Sequence, residues 1–164
     1  MDTVYLETTV IGSIAGRLHP NPLVAARQIK TRLWWKSAPA LYRLLASQLV
    51  IDECLAGDPD AAQERLAELV GVPRLMITDA ARNLADALLA ARAIPETEPR
   101  DALHIAIAAV NGVQYLVTWN FKHIANATLR ERIFDVCRDN GHEPPNICTP
   151  EELAGMTDDT LDTN

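Results

Sequence analysis

Short apolar runs typical of buried strands alternate with segments of helical periodicity along most of this chain. Residues 3–6, 48–51, 74–78 and 115–118 have the length and composition of strands, and residues 146–149 fit a fifth strand at the sheet edge. Helical spacing covers residues 8–14, 23–37, 39–47, 58–71, 79–93, 100–111 and 126–139. Strands alternating with helices form a parallel sheet covered on both faces. The pattern predicts a three-layer α/β/α fold around a mostly parallel sheet of four to five strands.

The length of 164 residues and the apolar content of 48% suit one domain, which we expect to span residues 1–150. Residues 151–164 are acidic and poor in apolar side chains, so we expect a partly disordered tail. No apolar run is long enough to cross a membrane, and no secretory signal is visible. The three cysteines lack metal-type spacing and are expected to be reduced thiols in a cytoplasmic protein.

Charge is distributed unevenly along the chain, whose formal net charge is −7. Residues 1–50 carry a balance of +4, and residues 51–164 carry −11, which permits a basic surface beside an acidic pocket. Trp34 and Trp35 lie on a predicted helix with four bases, Arg27, Lys30, Arg32 and Lys36. This pattern suits binding of single-stranded nucleic acid. It equally suits one tryptophan in the core and the other in a dimer interface.

Four polar residues lie at the ends of apolar runs. Glu7, Glu53 and Asn120 follow predicted strands, and Asp101 opens the apolar run 102–110. Side chains just past parallel strands meet at one edge of the sheet, where open α/β folds place their ligands. Carboxylates that meet there repel one another unless a hard cation holds them. The sequence therefore suggests a divalent-metal site.

Glu7, between a predicted central strand and two threonines, has no simple solvated role, but the other residues also have an ordinary structural explanation. Asp101 suits the first turn of a helix, although a charge at the mouth of an apolar helix is costly without a partner. Glu53 fits the start of a short helix, and Asn120 fits a turn. Thr118 either hydrogen-bonds a water of the site or is simply a strand residue. His104 faces the same side as Asp101 and is either a hydrogen-bond partner of the site or a core residue.

Four segments carry a resemblance to a known family: residues 5–11, 49–53, 101–106 and 116–126. Their order and spacing resemble those of the PIN-domain ribonucleases, especially the toxins of VapBC-type toxin–antitoxin pairs. The resemblance implies Mg²⁺ or Mn²⁺ as cofactor and RNA as substrate. Glu7, Glu53 and Asp101 would be metal ligands, with Asn120 at the fourth acidic position and Thr118 supporting it.

The same resemblance implies protein partners, and the ribonuclease hypothesis adds a substrate surface. A small antitoxin protein would cover the acidic site, and the toxin would form a homodimer. Arg17, or the basic helix with Lys30, Arg32 and Trp34, would hold the RNA backbone. The segment 33–35 is a candidate interface for either protein partner.

Two departures from the family pattern bear on function. Glu7 stands where aspartate is usual, and Asn120 removes one negative charge from the fourth position. Three carboxylates still suffice for one cation, so we expect a single well-occupied metal site. A degenerate domain that only binds RNA or a partner protein is the main alternative. A small-molecule phosphatase is disfavoured, because the sequence has no Asp-x-Asp pair and no glycine-rich phosphate loop.

Overall fold

The computed structural model describes the backbone of residues 1–161 and the side chains of residues 1–155. Its centre is a sheet of five parallel strands in the order β3-β2-β1-β4-β5. The strands are β1 (Thr3–Leu6), β2 (Arg43–Ser47), β3 (Arg74–Leu75), β4 (Tyr115–Val117) and β5 (Asn146–Cys148). The predicted α/β class and parallel sheet are confirmed, and residues 146–148 form the expected edge strand.

Eight helices connect and cover the strands within the described residues. They are α1 (Thr8–Ile14), α2 (Pro22–Leu41), α3 (Gln48–Leu55), α4 (Pro59–Glu68), α5 (Asp79–Ala90), α6 (Pro99–Val110), α7 (Arg130–Asp139) and α8 (Pro150–Leu161). Right-handed crossovers place α1 to α4 on one face of the sheet and α5 to α7 on the other. The contacts agree, since α5 packs on α6 and α7, whereas α2 packs on α1 and α8.

The order of the strands creates a switch point beside β1. The chain moves from β1 outward to β3, and then returns to add β4 on the other side of β1. Leu6 pairs with Val117 at the last register position of these two strands. Glu7 and Thr118 are the next residues, and the Glu7 amide still donates to the Val117 carbonyl at 3.2 Å. We call the region around these two residues the carboxyl edge; it is where doubly wound sheets bind ligands.

The second strand and the helix after it differ from the sequence prediction. Residues 39–47 were predicted as helix and 48–51 as strand, but Arg43–Ser47 is the strand and Gln48–Leu55 is the helix. A short apolar run such as 49–51 fits a buried strand or one face of a buried helix equally well. Residues 43–47 include good helix formers, yet they form a strand because their burial beside β1 outweighs that helix propensity. Glu53 therefore lies within a helix and not at the end of a strand.

Smaller differences concern the ends of elements and the C-terminal segment. The third strand is shorter than predicted, and α7 begins at Arg130 instead of residue 126. The segment predicted as an acidic tail starts as α8, whose Leu153 is 1% exposed in the core. Residues 162–164 lie outside the described part of the chain. No helix among the described residues is both long and apolar enough to cross a membrane. The cysteines are free and buried.

Candidate active site

Glu7 joins β1 to α1 at the carboxyl edge. Its Oε2 accepts hydrogen bonds from the Thr9 amide at 3.0 Å, from the Thr118 hydroxyl at 2.9 Å and from the Thr9 hydroxyl. Glu7 thereby caps the N-terminus of α1. Only 3% of the residue is exposed, and this burial raises the pKa of the Glu7 carboxyl despite the donors around it.

Glu53 reaches the same region from α3. Its Oε1 accepts from the Thr8 hydroxyl at 2.8 Å and lies 2.5 Å from His104 Nε2 on α6. Partial burial alone would raise the pKa of Glu53, but the hydrogen bonds from His104 and Thr8 and the positive charge of Arg100 lower it below its ordinary value. Glu53 is therefore held as a carboxylate, and the Thr8 bond places it next to the residue that follows Glu7.

A buried chain of hydrogen bonds supports Glu53 from behind. His104 Nδ1 lies 2.7 Å from the Tyr5 hydroxyl, which lies 2.8 Å from Ser47 Oγ. Ser47 Oγ also accepts from the Val50 amide at 3.2 Å, as the N-cap of α3. Because an ionised carboxylate only accepts hydrogen bonds, His104 Nε2 carries a proton that points at Glu53.

Asp101 enters from the first turn of α6 and connects to the loop after β4. Its Oδ2 lies 2.9 Å from His123 Nδ1. The His123 amide donates to Asn120 Oδ1 at 3.0 Å, and the Asn120 amide donates to Thr118 Oγ1 at 2.9 Å. Since Thr118 also bonds Glu7, one continuous chain of hydrogen bonds runs from Asp101 to Glu7. The amide oxygen of Asn120 is used to close a turn.

The three acidic residues share one pattern: each uses a single oxygen for bonds within the protein. Among the described residues, Glu7 Oε1, Glu53 Oε2 and Asp101 Oδ1 accept no hydrogen bond. The buried polar atoms that lack a partner in this part of the chain are Trp34 Nε1 and Arg130 Nε. The free carboxylate oxygens are not among them, although Glu7 as a whole is buried. Carboxylates that are oriented through one oxygen and open at the other suit a hard cation.

The closest grouping of ligand atoms in the described part of the chain is a different set. Atoms of Glu98, Asp101 and His123 all lie within 4.8 Å of one another, and these residues are half-buried. Glu7, Glu53 and Asp101 do not meet that spacing as a trio. Asp101 belongs to both sets. No sequence pattern pointed to Glu98, and His123 was noted only as part of the segment 116–126, which contains Asn120.

The predicted substrate-binding residues have mostly structural positions. Trp34 is 3% exposed and belongs to the core, so it offers no face to a base, which corrects that prediction. Lys30 pairs with Glu151 at 2.6 Å. Arg32 donates to the carbonyls of Ser13 and Gly16. Arg17 is exposed and remains a candidate.

Sequence reasoning missed a cationic and aromatic pair near the site. Arg27, on α2, lies over the ring of Phe121, in the loop after β4. The sequence favours Phe121 as a wall of the pocket beside Asn120, not as a base-stacking residue, and presents Arg27 only as one of the bases on a helix. The separation of 94 positions between the two hides the pair from any local pattern.

The whole architecture is similar to that of VapC20 from Mycobacterium tuberculosis, a toxin that cleaves the sarcin–ricin loop. The structures superpose with a TM-score of 0.58 and 18% sequence identity, over 76% of this chain and 95% of that chain. The fold is PIN-like. At this identity the similarity establishes the fold and not the activity. Neither a protein-family description nor a curated protein sequence matches this chain.

Proposed function

We propose that this protein is a metal-dependent endoribonuclease that cleaves single-stranded or looped RNA. One observation carries the proposal: Glu7, Glu53 and Asp101 each keep one oxygen free of hydrogen bonds within the described residues, around the switch point of a parallel sheet. The PIN-like fold, shared with a toxin that cleaves the sarcin–ricin loop, supports it.

The proposed metal ligands are Glu7, Glu53 and Asp101, and the proposed metal is Mg²⁺ or Mn²⁺. Their donor atoms are carboxylate oxygens, which both ions prefer, and Mg²⁺ keeps several waters that bridge ligands too far apart for direct contact. When bound, such a cation supplies a reactive water near neutral pH and neutralises charge on the phosphate.

Neighbouring residues of this chain hold the acids in place. The Thr9 and Thr118 hydroxyls fix one oxygen of Glu7, and His104 fixes one oxygen of Glu53. Asn120 has a supporting role in the proposal, because its turn positions His123 against Asp101. Because these hydrogen bonds already fix the side chains, little further ordering is needed when a cation binds. The entropic cost of binding is therefore lower.

Substitution of Asp101 by Asn tests the proposal. The amide keeps an acceptor for His123 and the shape of the side chain, while it removes the charge that would hold the cation. We expect Mn²⁺-dependent cleavage of single-stranded RNA to fall about 100-fold or more, since even indirect ligand contacts cost 10–100-fold. Cleavage is measured by gel electrophoresis of end-labelled RNA.

Asp135→Asn is the matched control, because Asp135 is an exposed acid on α7. It should leave cleavage unchanged, and both variants should unfold at the temperature of the wild type within a few degrees. Equal cleavage by Asp101→Asn and the wild type would show that the site is wrongly assigned.

We extend the proposal to a toxin that pairs with a small antitoxin protein, acts in the cytoplasm and forms a homodimer. The similarity to VapC20 supports the toxin role. Helix α2 supports a protein partner, because Leu23, Ile29 and Leu33 are exposed along it. Of the segment 33–35, proposed as an interface from the sequence, Leu33 is the exposed residue.

A catalytically inactive RNA-binding module is the second candidate. Two observations favour it. The amide oxygen of Asn120 already accepts a hydrogen bond that closes a turn. The ligand atoms of Glu7, Glu53 and Asp101 are also less closely grouped than those of Glu98, Asp101 and His123. The same cleavage experiment separates the two functions. Wild-type protein that binds the RNA but leaves it intact with Mn²⁺ would identify the binding module.

A further inference from the structure

A cation and two aromatic rings form a cluster beside the carboxyl edge. The Arg27 guanidinium carbon lies 5.1 Å from the centre of the Phe121 ring and 5.8 Å from that of Trp119. The two rings pack edge to face, with centres 6.1 Å apart. We call Arg27, Trp119 and Phe121 the aromatic clamp.

The outer part of the aromatic clamp is open to solvent. Phe121 is 43% exposed and Arg27 is exposed, whereas Trp119 is only 9% exposed and forms the floor. Among the described residues, the Arg27 guanidinium has no ion pair and no hydrogen bond, in a chain that contains 22 acidic residues. Its planar N–H donors therefore remain available for a ligand.

Hydrogen bonds tie the floor of the clamp to the candidate active site on one side and to α2 on the other. The Trp119 amide donates at 2.9 Å to the Thr9 hydroxyl, which in turn donates to Glu7. The Trp119 indole donates at 2.8 Å to Thr31 Oγ1, which donates to the Arg27 carbonyl at 2.6 Å. The clamp is thus held at a fixed place relative to the carboxylates.

Phe121 is also held by its neighbours in sequence. It lies in the turn that Asn120 closes with the His123 amide, and His123 contacts Asp101. Single exposed apolar side chains are common on protein surfaces. Phe121 differs from them because the unpaired Arg27 guanidinium lies over its ring and because its loop supports the candidate site.

We propose that the aromatic clamp binds a nucleotide next to the scissile phosphate, with its base stacked on Phe121 and its phosphate bound by Arg27. This subsite rests on the proposed ribonuclease function. Bases stack on exposed aromatic rings and on guanidinium planes in single-stranded RNA complexes. The clamp takes over the substrate role that the sequence assigned to the buried Trp34.

The binding test uses a short, fluorescently labelled single-stranded RNA and fluorescence anisotropy, with a chelator present so that no RNA is cleaved. Phe121→Ala should weaken binding about tenfold, within the range found when stacking rings are truncated, and Phe121→Trp should restore it. Arg27→Ala should also weaken binding and reduce its dependence on salt, because a phosphate contact is lost.

Arg138→Ala is the matched control. Arg138 is an exposed arginine whose guanidinium carbon lies 5.9 Å from the centre of the Phe134 ring. The groove beside it is also lined by Gln114 and Asn146, at the amino ends of β4 and β5 and therefore away from the carboxyl edge. This variant should bind RNA as the wild type does. Removing the base at one position of the RNA should erase the difference between wild type and Phe121→Ala.

Two results would overturn the proposal in distinguishable ways. If the wild type binds and cleaves RNA and Phe121→Ala binds it equally well, the subsite is wrong and the clamp serves another occupant such as a protein partner. If the wild type neither binds nor cleaves single-stranded RNA, the ribonuclease function fails and the subsite fails with it.

Discussion

Glu7 and Glu53 belong to one candidate site, yet their surroundings move their pKa values in opposite directions. Burial raises the pKa of Glu7, whereas His104, Thr8 and Arg100 lower the pKa of Glu53 against the effect of burial. Ionisation of Glu7 therefore destabilises the folded protein, whereas ionisation of Glu53 stabilises it. A cation at the free oxygen of Glu7 would offset that cost.

Neutral substitutions should consequently have opposite effects on the metal-free protein. Glu7→Gln should raise the melting temperature at pH 7, because its amide oxygen still accepts from Thr9 and Thr118 while the buried charge is removed. Glu53→Gln should lower it, because the charge-assisted bond with His104 is lost. Differential scanning fluorimetry with a chelator measures both effects.

The pH dependence provides the control. The advantage of Glu7→Gln should develop as pH rises through the ordinary glutamate pKa of 4.5 toward the raised pKa of the folded state, and should vanish in more acidic solution. The penalty of Glu53→Gln should disappear as pH falls through the lowered pKa of folded Glu53. Shifts of the same sign in both variants would contradict this electrostatic description.

The sequence alone predicted where the polar residues of the candidate site lie along the chain better than it predicted the contacts around them. Glu7 and Asp101 were chosen because they lie at the ends of apolar runs, and the structure has Glu7 directly after β1 and Asp101 in the first turn of α6. Their role as metal ligands stays a prediction. The support from Tyr5 and Ser47 was invisible, because the Ser47–His104 connection joins residues far apart in the chain. The same limit hid the Arg27–Phe121 pair.

At the scale of elements, Ser47 is the boundary between β2 and α3. The sequence prediction placed this boundary correctly but interchanged the strand and the helix. Ser47 is fully buried, caps α3 through the Val50 amide and bonds the Tyr5 hydroxyl. If Ser47 is interpreted as a helix N-cap, the residues after it are predicted to form a helix. The apolar run 48–51 favoured a strand instead. Strand β2 could not be recognised locally, since its burial comes from its neighbours β1 and β3.

Ser47→Ala should destabilise the fold by about 1–3 kcal/mol, because it removes a helix cap and leaves the buried Tyr5 hydroxyl with one partner fewer. Chemical denaturation measures the free energy of unfolding. Ser37→Ala is the control, since Ser37 is exposed on α2 and surface substitutions stay within about 0.5 kcal/mol. Equal effects of the two substitutions would show that Ser47 does not set this boundary.

At the scale of the molecule, the strand order explains why distant acids approach one another. The return of the chain from β3 to β4 puts the ends of β1 and β4 side by side, and α6 brings Asp101 and His104 to that edge. Alternation of strands and helices made the fold class predictable, because it reflects the layered burial of the whole chain. Distances between side chains depend on packing that no local pattern records.

The central claim is that Glu7, Glu53 and Asp101 together hold one divalent cation. Anomalous diffraction from a crystal soaked in Mn²⁺ tests it most directly, because the ion is located independently of any assumption about ligands. We predict one anomalous peak, bound through the free oxygens of these three carboxylates or through their shared waters. No peak, or a peak bound by Glu98, Asp101 and His123 without Glu7 and Glu53, would contradict the account.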